Sequence, residues 1–538
     1  MNHSHHYPLL VLSLLALSSC TLPTGTSGAS KTASTSPSSS TAISTGKTST
    51  SSSGTSASST STTISSVPSS SSSSLEDSGP TYDDFWAYSS ALTISLKFTN
   101  ASLYALSNYG YNYDEKYADV YFPATFSATL NGKTYTYDEV GVRMKGNTSR
   151  TEICSSDGTI SDVCHFKVSF KCTFDDAIYS EAAFTSFKHT WTDAAERKAR
   201  KNRRFASMEK LDLKYLPRNG NTPVTYSQEI YCYHVFEQEG IVAPKAKWSS
   251  LTFKDDKSSK TSSYEAIEAI DDVFIEHHFA SEDWGGDLYK CSTYKENNSY
   301  IKADLTISGA VTSTTSGGLA NGTRIASGKI GVEDCYNLYH PNYQLKTNDN
   351  GEASDFSKMS NFINVVNNVK TGKSSQNALE NVLDVQEFLT FEGVSYCLGN
   401  FDDQRNNYNN YFIYFRPSDN KAVYLPYDWD WAFGASVNGT SSTLVSYKPY
   451  HTSTSHDSSN TNPLYWCTIL SNSSLQYDVS VYRPSYASAI KKVVSDGFLT
   501  SSKYSSFVAS LSGASLKELS SVSSYMSSKT SVISSSLS

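Results

Sequence analysis

From Ala91 onward the chain alternates apolar and polar positions in short runs, the pattern of half-buried strands. Strands are predicted over 91–98 (ALTISLKF), 118–122, 126–130, 133–137, 141–144 and 165–170 (HFKVSF). Asn131-Gly132 between two of these runs is a two-residue hairpin signal. A basic helix is predicted over 192–208, and an amphipathic one over 226–239 (YSQEIYCYHVFEQE), closed by Gly240 and Pro244. Two more strands follow at 247–253 and 264–270, then a buried helix over 385–398 with Asp384 as N-cap and Gly399 as stop. Runs at 410–415 and 422–425 read as a hairpin, and the last 50 residues as helices with a Ser-rich polar face. Strands with one helix first and mostly helices later is the order of an α+β fold, with a β-rich N-terminal part and a mainly helical C-terminal part.

The first 80 residues follow none of these periods. Leu9 to Leu17 (LLVLSLLAL) is too short to span a bilayer but suits a signal-peptide h-region. Leu17-Ser18-Ser19-Cys20 then resembles a lipobox, in which Cys20 would take a diacylglyceryl group. Between residues 21 and 80, Ser and Thr fill 38 of 60 positions. Such a segment buries too little apolar surface to offset the entropy of ordering, and reads as a disordered tether. The expected organisation is a lipoprotein signal over 1–20, the tether over 21–80, a globular domain over 81–500 and a Ser-rich helical tail over 501–538. The expected location is outside the cytoplasm, with the chain held to a bacterial membrane only by its lipid.

Composition narrows the function classes. A net charge of −8 over 538 residues disfavours general nucleic-acid binding, which needs clustered Lys and Arg. The basic stretch Arg197 to Arg204 reads either as a solvated helix face or as a dock for an acidic substrate. Nine cysteines, less Cys20, leave an even number in an exported chain. That permits disulfides, with Cys154, Cys164 and Cys172 the best local source of one, although buried free thiols are the competing reading. No CxxC pair is present, so a structural zinc is not expected.

The densest chemistry lies in two blocks, GNFDDQRNNYNNYFIY (399–414) and YLPYDWDWAFG (424–434). Two carboxylate pairs with Asn between them form an oxygen-rich set of the kind that holds Mg²⁺ or Mn²⁺. They could also be a glycosidase acid pair, or only loop-capping Asx turns. Upstream, VRMKGNTSR (142–150) ends a strand in a small-residue turn, Lys167 lies mid-strand, and Glu229 lies on the helix at 226–239. A strand Lys paired to a helix Glu, a loop Asp with Asn five residues on, and a metal-binding Asp make the layout of a protein kinase.

These blocks, together with FKVSFK (166–171), KLDLKYLPRNGN (210–221), YEAIEAIDDVFIEHHF (264–279) and GDLYKC (286–291), resemble the CotH kinase family, and they run in that family's order. The resemblance implies a divergent two-lobed kinase-like fold that transfers the γ-phosphoryl of ATP to protein Ser or Thr with Mg²⁺ or Mn²⁺. It implies that Lys167 holds the α/β-phosphates and is itself held by Glu229. Gly146 would lie in the loop over the phosphates, and Glu268 in the strand leading to the adenine-binding hinge. Asp402 or Asp403 would orient the acceptor hydroxyl, and Asn407 and Asp428 would bind metal with Asp430 nearby. The chain has no GxGxxG, HRD or DFG, so the choice within each acid pair stays open, as does Asn410 as an alternative amide ligand. The protein substrate could include the tether itself. The rival from another class is an inactive CotH-like surface adhesin or scaffold.

Overall fold

A computed structural model describes residues 79–538, apart from 113–116, 148, 216–225, 297–298, 307–341, 348–356, 437–438, 441, 456, 471–477 and 513–519. The signal, Cys20, all of the tether but its last two residues, and Cys335 lie outside the described residues. The architecture is mixed α+β. Seven strands close a barrel: β1 (Leu92–Phe98), β2 (Phe122–Leu130), β3 (Lys133–Lys145), β4 (His165–Ser169), β5 (Lys210–Tyr215), β6 (Ala246–Lys254) and β7 (Ser259–Glu268). Their order is β1-β2-β3-β4-β5-β7-β6, with β6 closing on β1 in parallel and the other neighbours antiparallel. Asn131 and Gly132 join β2 to β3 with positive φ at both positions, as the hairpin signal requires. Residues 118–121 are not a strand; β2 begins at Phe122.

The inward positions fill the barrel with Ile94, Leu96, Phe126, Val142, Phe166, Val168, Leu211, Leu213 and Phe253. Because side chains alternate along a strand, the other face of β3, β4 and β5 carries Arg143, Lys145, Lys167, Asp212 and Lys214. That charged outer face belongs to the candidate site.

The helices before residue 280 are α1 (Tyr82–Trp86), α2 (Asn100–Gly110), α3 (Ala194–Lys201), α4 (Tyr226–Gln238) and α5 (Asp272–His278). The basic helix is thus much shorter than predicted, and its arginines turn back on their own chain. Arg197 pairs with Asp175 and Arg200 with Glu139, while Arg203 donates to the carbonyls of Asp138, Glu139 and Phe170. Helix α3 buries none of its residues, so the solvated face is present, while three arginines of the stretch staple it to the barrel. Helix α4 is buried over almost its whole circumference rather than being amphipathic.

The second core is mainly helical. It gathers α4, α6 (Ser357–Lys370), α7 (Val385–Leu398), α8 (Ser442–Ser446), α9 (Pro463–Thr468), α10 (Arg483–Ser495), α11 (Ser501–Ser510) and α12 (Ser520–Ser536). Strands β8 (Leu288–Cys291), β9 (Tyr294–Glu296), β10 (Ser299–Ile301), β11 (Tyr343–Leu345), β12 (Tyr411–Phe415) and β13 (Ala422–Pro426) complete the set used below. Four of them form a sheet of order β11-β8-β12-β13, in which β12 and β13 are the predicted hairpin. Asp384 caps α7 through the Glu387 N–H, and Gly399 ends it at φ +61 against the Tyr525 ring of α12. The seven described cysteines are free thiols, so the bridge expected among Cys154, Cys164 and Cys172 does not form. Six of the seven are buried, packing as small apolar groups. Among the described residues no helix is long and apolar enough to cross a membrane.

Candidate active site

The site lies where the outer face of β5, helix α4 and the two loops flanking the β12–β13 hairpin meet. Its centre is Lys214, buried to 2% side-chain exposure on β5. The Lys214 ammonium pairs with Glu229 of α4 at 2.5 Å, with Asp430 at 3.3 Å and, closer still, with Asp428. A buried ammonium is tolerated only with such partners, and here carboxylates outnumber it. Glu229 reaches further: it accepts from the Tyr233 hydroxyl (2.7 Å) and from the Trp429 N–H (3.2 Å). Tyr233 in turn accepts from the Asp428 N–H at 3.0 Å. One helix carboxylate thereby fixes both the lysine and the backbone of the DWD segment. Asp428 sits at φ +60, a left-handed conformation that a non-glycine residue adopts only when its surroundings hold it there.

Opposite Lys214 in register, on β7, stands Glu265, completely buried. Neither of its oxygens finds a hydrogen-bond donor. Burial first, then the charge of Glu229, pushes its pKa well above the ordinary carboxylate value. The acids in contact with the Lys214 ammonium are Glu229, Asp428 and Asp430. Three carboxylates on one ammonium leave a negative surplus that a divalent cation would neutralise, and hard oxygen donors of this kind suit Mg²⁺ or Mn²⁺.

The loop between α7 and β12 separates the two acids that the sequence left as a pair. Asp403 faces inward at 1% exposure, and its Oδ1 accepts from the N–H groups of Arg405 (3.0 Å) and Asn406 (2.7 Å). It is an Asx-type cap of its own loop. Asp402 instead points to the acid cluster. Asn407 (2.5 Å), Asn409 and Asn410 (2.9 Å) donate side-chain N–H groups to its carboxylate. Burial raises its pKa to about 6, with the charges of Asp428 and Asp430 adding to the rise. Asp402 therefore remains an anion at neutral pH while being a better base than an ordinary aspartate. Asn400 ties this loop to the other, donating to the Asp428 carbonyl at 3.2 Å and accepting from the Asp402 N–H at 2.9 Å. Asn407 and Asn410 both stand on Asp402.

Lys167 is elsewhere, and the pairing expected with Glu229 is not made. In register, Lys167 lies directly across from Asp212 and pairs with it at 3.0 Å. Helix α4 follows β5 and places Glu229 over Lys214, two residues beyond Asp212. The lysine held by the helix acid is therefore that of KLDLKY, a block quoted above without being read as a strand. The available signal was its position: a strand Lys shortly before the helix that carries the Glu. Gly146 takes φ +94 in the turn after β3, and a Cβ there would run into Ser149. Arg150 holds that turn by donating to the Gly146 carbonyl at 2.7 Å. Glu268 ends β7 with its carboxylate fully engaged by Tyr82 (2.6 Å), His278 (2.8 Å) and the Lys245 N–H (3.1 Å). Its side chain thus braces the strand end against α1 and α5.

A further group of acids, Glu209, Asp271 and Asp272, brings its oxygens within 4.8 Å of one another. Lys171 and Lys210 already pair with two of the three, Lys171 with Glu209 and Lys210 with Asp271 at 3.0 Å.

Comparison with curated proteins gives no match. A family model described as CotH kinase protein matches residues 180–520, which include β5, α4, the Asp402 loop and the DWD segment. This chain belongs to the CotH kinase family.

Proposed function

We propose that the protein is a metal-dependent kinase that transfers the γ-phosphoryl group of ATP to Ser or Thr hydroxyls of a protein. The observation that carries the reading is the arrangement around Lys214: a strand lysine gripped by a helix glutamate, beside a loop aspartate and a separate pair of acids. Phosphoryl transfer asks mainly for positioning and charge neutralisation, and this set supplies both. Asp402 orients and accepts the proton of the acceptor hydroxyl. Asp428 and Asp430, with Asn407 or Asn410 beside them, would hold Mg²⁺ or Mn²⁺, which would supply charge neutralisation for the phosphates. Lys214, fixed by Glu229, would be the lysine that faces the phosphates. The barrel core and the helical core are the two lobes of the kinase-like fold in this reading, and the strand end at Glu268 leads to the segment that faces the adenine.

The lipobox-like LSSC ending at Cys20 and the Ser/Thr-rich segment after it support a domain held by lipid alone on the outer face of a bacterial membrane. The tether supplies 38 hydroxyls to its own domain at high effective concentration. The test is incubation of the full chain with γ-labelled ATP, followed by mass spectrometry of residues 21–80. Label that needs Mg²⁺ or Mn²⁺, disappears with EDTA and maps to tether Ser or Thr supports the reading. No incorporation into the tether or any added protein, at any metal concentration, would sink it.

A further inference from the structure

Helix α12 carries a charge where its pattern asks for an apolar residue. Val522, Tyr525, Met526 and Ile533 make a buried stripe at helical spacing, and Lys529 stands within that stripe at 1% exposure. Among the described residues Lys529 makes no ion pair. Its ammonium donates instead to the carbonyls of Leu444 (3.0 Å) and Tyr447 (3.3 Å), in and just after α8. It also lies 3.7 Å from the centre of the Tyr396 ring of α7. The segment that follows α8 runs to the Asp402 loop. Arg405 donates to the carbonyls of Pro449 (3.1 Å) and His451 (3.2 Å). The Ser455 hydroxyl lies 2.7 Å from the Phe401 carbonyl and 2.9 Å from that of Asn406. Those two carbonyls stand on either side of Asp402 in the chain.

One turn earlier on the same face, Tyr525 reaches the place where the two acid-bearing segments touch. Phe433 and Gly434 donate their N–H groups to the carbonyls of Leu398 (2.7 Å) and Gly399 (2.9 Å), joining the end of the DWD segment to the start of the Asp402 loop. The Tyr525 hydroxyl donates to the Cys397 carbonyl at 3.3 Å, and its ring meets that of Phe433 edge-on at 5.9 Å. A Cβ at Gly399 would come within 1.9 Å of the Tyr525 oxygen, so no other residue fits beneath this tyrosine. A helix that only filled the core would have no need of a buried lysine, since an apolar side chain there carries no desolvation cost. We propose that α12 is a clamp on the Asp402 loop, with Tyr525 and Lys529 as positioning residues that keep Asp402 turned toward Asp428 and Asp430. The helix begins at the residue where the family match ends, so the clamp lies outside the pattern which that match describes. The duty of Asp402 in transfer rests on the kinase reading; the clamp rests on the contacts alone.

The test compares the full chain with Lys529→Met and Tyr525→Leu, and with Ser528→Ala on the exposed face of α12 as control. Methionine fills the space of Lys529 without a charge to desolvate, so Lys529→Met should unfold close to the wild-type temperature. That separates a misplaced loop from lost folding. Hydrogen–deuterium exchange read by mass spectrometry should show residues 399–410 exchanging about tenfold or more faster in Lys529→Met and Tyr525→Leu, with the barrel strands and the control unchanged. Initial rates of label transfer should show kcat falling about tenfold or more in the same two variants with the KM for ATP little changed, because the clamp places Asp402 and does not touch the nucleotide. Faster loop exchange in variants of a chain that never incorporates label would remove the kinase reading and leave the clamp standing. Label transfer by wild type, with loop exchange unchanged in both variants, would remove the clamp and leave the kinase reading standing. Exchange that rises evenly through the helical core would also remove the clamp, since α12 would then be ordinary packing.

Discussion

Asp402 and Asp403 are adjacent in the chain and identical in type, yet the fold gives them opposite duties. Asp403 accepts two backbone N–H groups within its own loop, whereas Asp402 is presented by three asparagine side chains toward Asp428 and Asp430. Asp402→Asn keeps the shape and removes the base, at the cost of setting one amide N–H against an asparagine donor. It should lower the unfolding midpoint less than Asp403→Ala does while lowering phosphoryl transfer by about 10² or more. Asp403→Ala strands two buried donors and should cost about 1–3 kcal/mol of stability. Urea unfolding and initial rates on the two variants check this; equal effects of both on both readouts would contradict the assignment. Sequence spacing could name the pair but could not choose, because the choice depends on which side of the loop faces the core. Lys167 shows the same limit from the other direction. Its alternation within FKVSF was legible, but its partner was set by register with β5, which no local pattern encodes.

At the scale of elements, helix α7 and the loop it feeds are locked by a buried polar network. Gln404 donates to Glu392 at 2.9 Å, the Tyr465 hydroxyl donates to the same Glu392 oxygen, and Arg405 donates to Tyr486 at 2.8 Å. Burial raises the Glu392 pKa to about 7, with Arg405, Tyr465 and Gln404 opposing. Burial and the nearby Glu392 charge raise that of Asp403 to about 8. For a carboxyl whose folded pKa is raised, the folded state binds the proton more tightly than the unfolded chain does. The Glu392 contribution is therefore complete below the ordinary value of 4.5 and is lost as pH rises through about 7. The loss is on the order of 3 kcal/mol. Thermal unfolding should show stability falling between pH 5 and 8, and Glu392→Gln, which copies the neutral form, should flatten that slope. A slope unchanged in Glu392→Gln would contradict the account. Elements with strong local signals were readable in advance: α4, α7 with its Asp384 cap and Gly399 stop, and the β12–β13 hairpin. Strand β5 was not. KLDLKY alternates charge with Leu like an exposed edge, yet it lies mid-barrel with Lys214 and Asp212 buried by partners far along the chain.

For the whole molecule, the net charge of −8 hides a local division. The acids in excess gather around Lys214, and the lysines in excess gather around Asp212, in adjoining parts of one region. Family order of motifs made the region findable from sequence, since β5, α4, the Asp402 loop and the DWD segment occur in that succession. The closed barrel was not legible, because its closure rests on β6 meeting β1 in parallel across some 150 residues. Nor was the arginine staple, since ERKARKNRRF has the composition of a solvated helix and its partners lie before it in the chain. The central claim is that Lys214, and not another lysine of the charged face, is the one that phosphoryl transfer depends on through Glu229. Its most direct test is the initial rate of label transfer from ATP by the full chain carrying Lys214→Met, beside Lys97→Met, an exposed barrel lysine, as control. The account predicts a fall of about 10² or more for the first variant and a wild-type rate for the second. Transfer that survives Lys214→Met at the wild-type rate would contradict it.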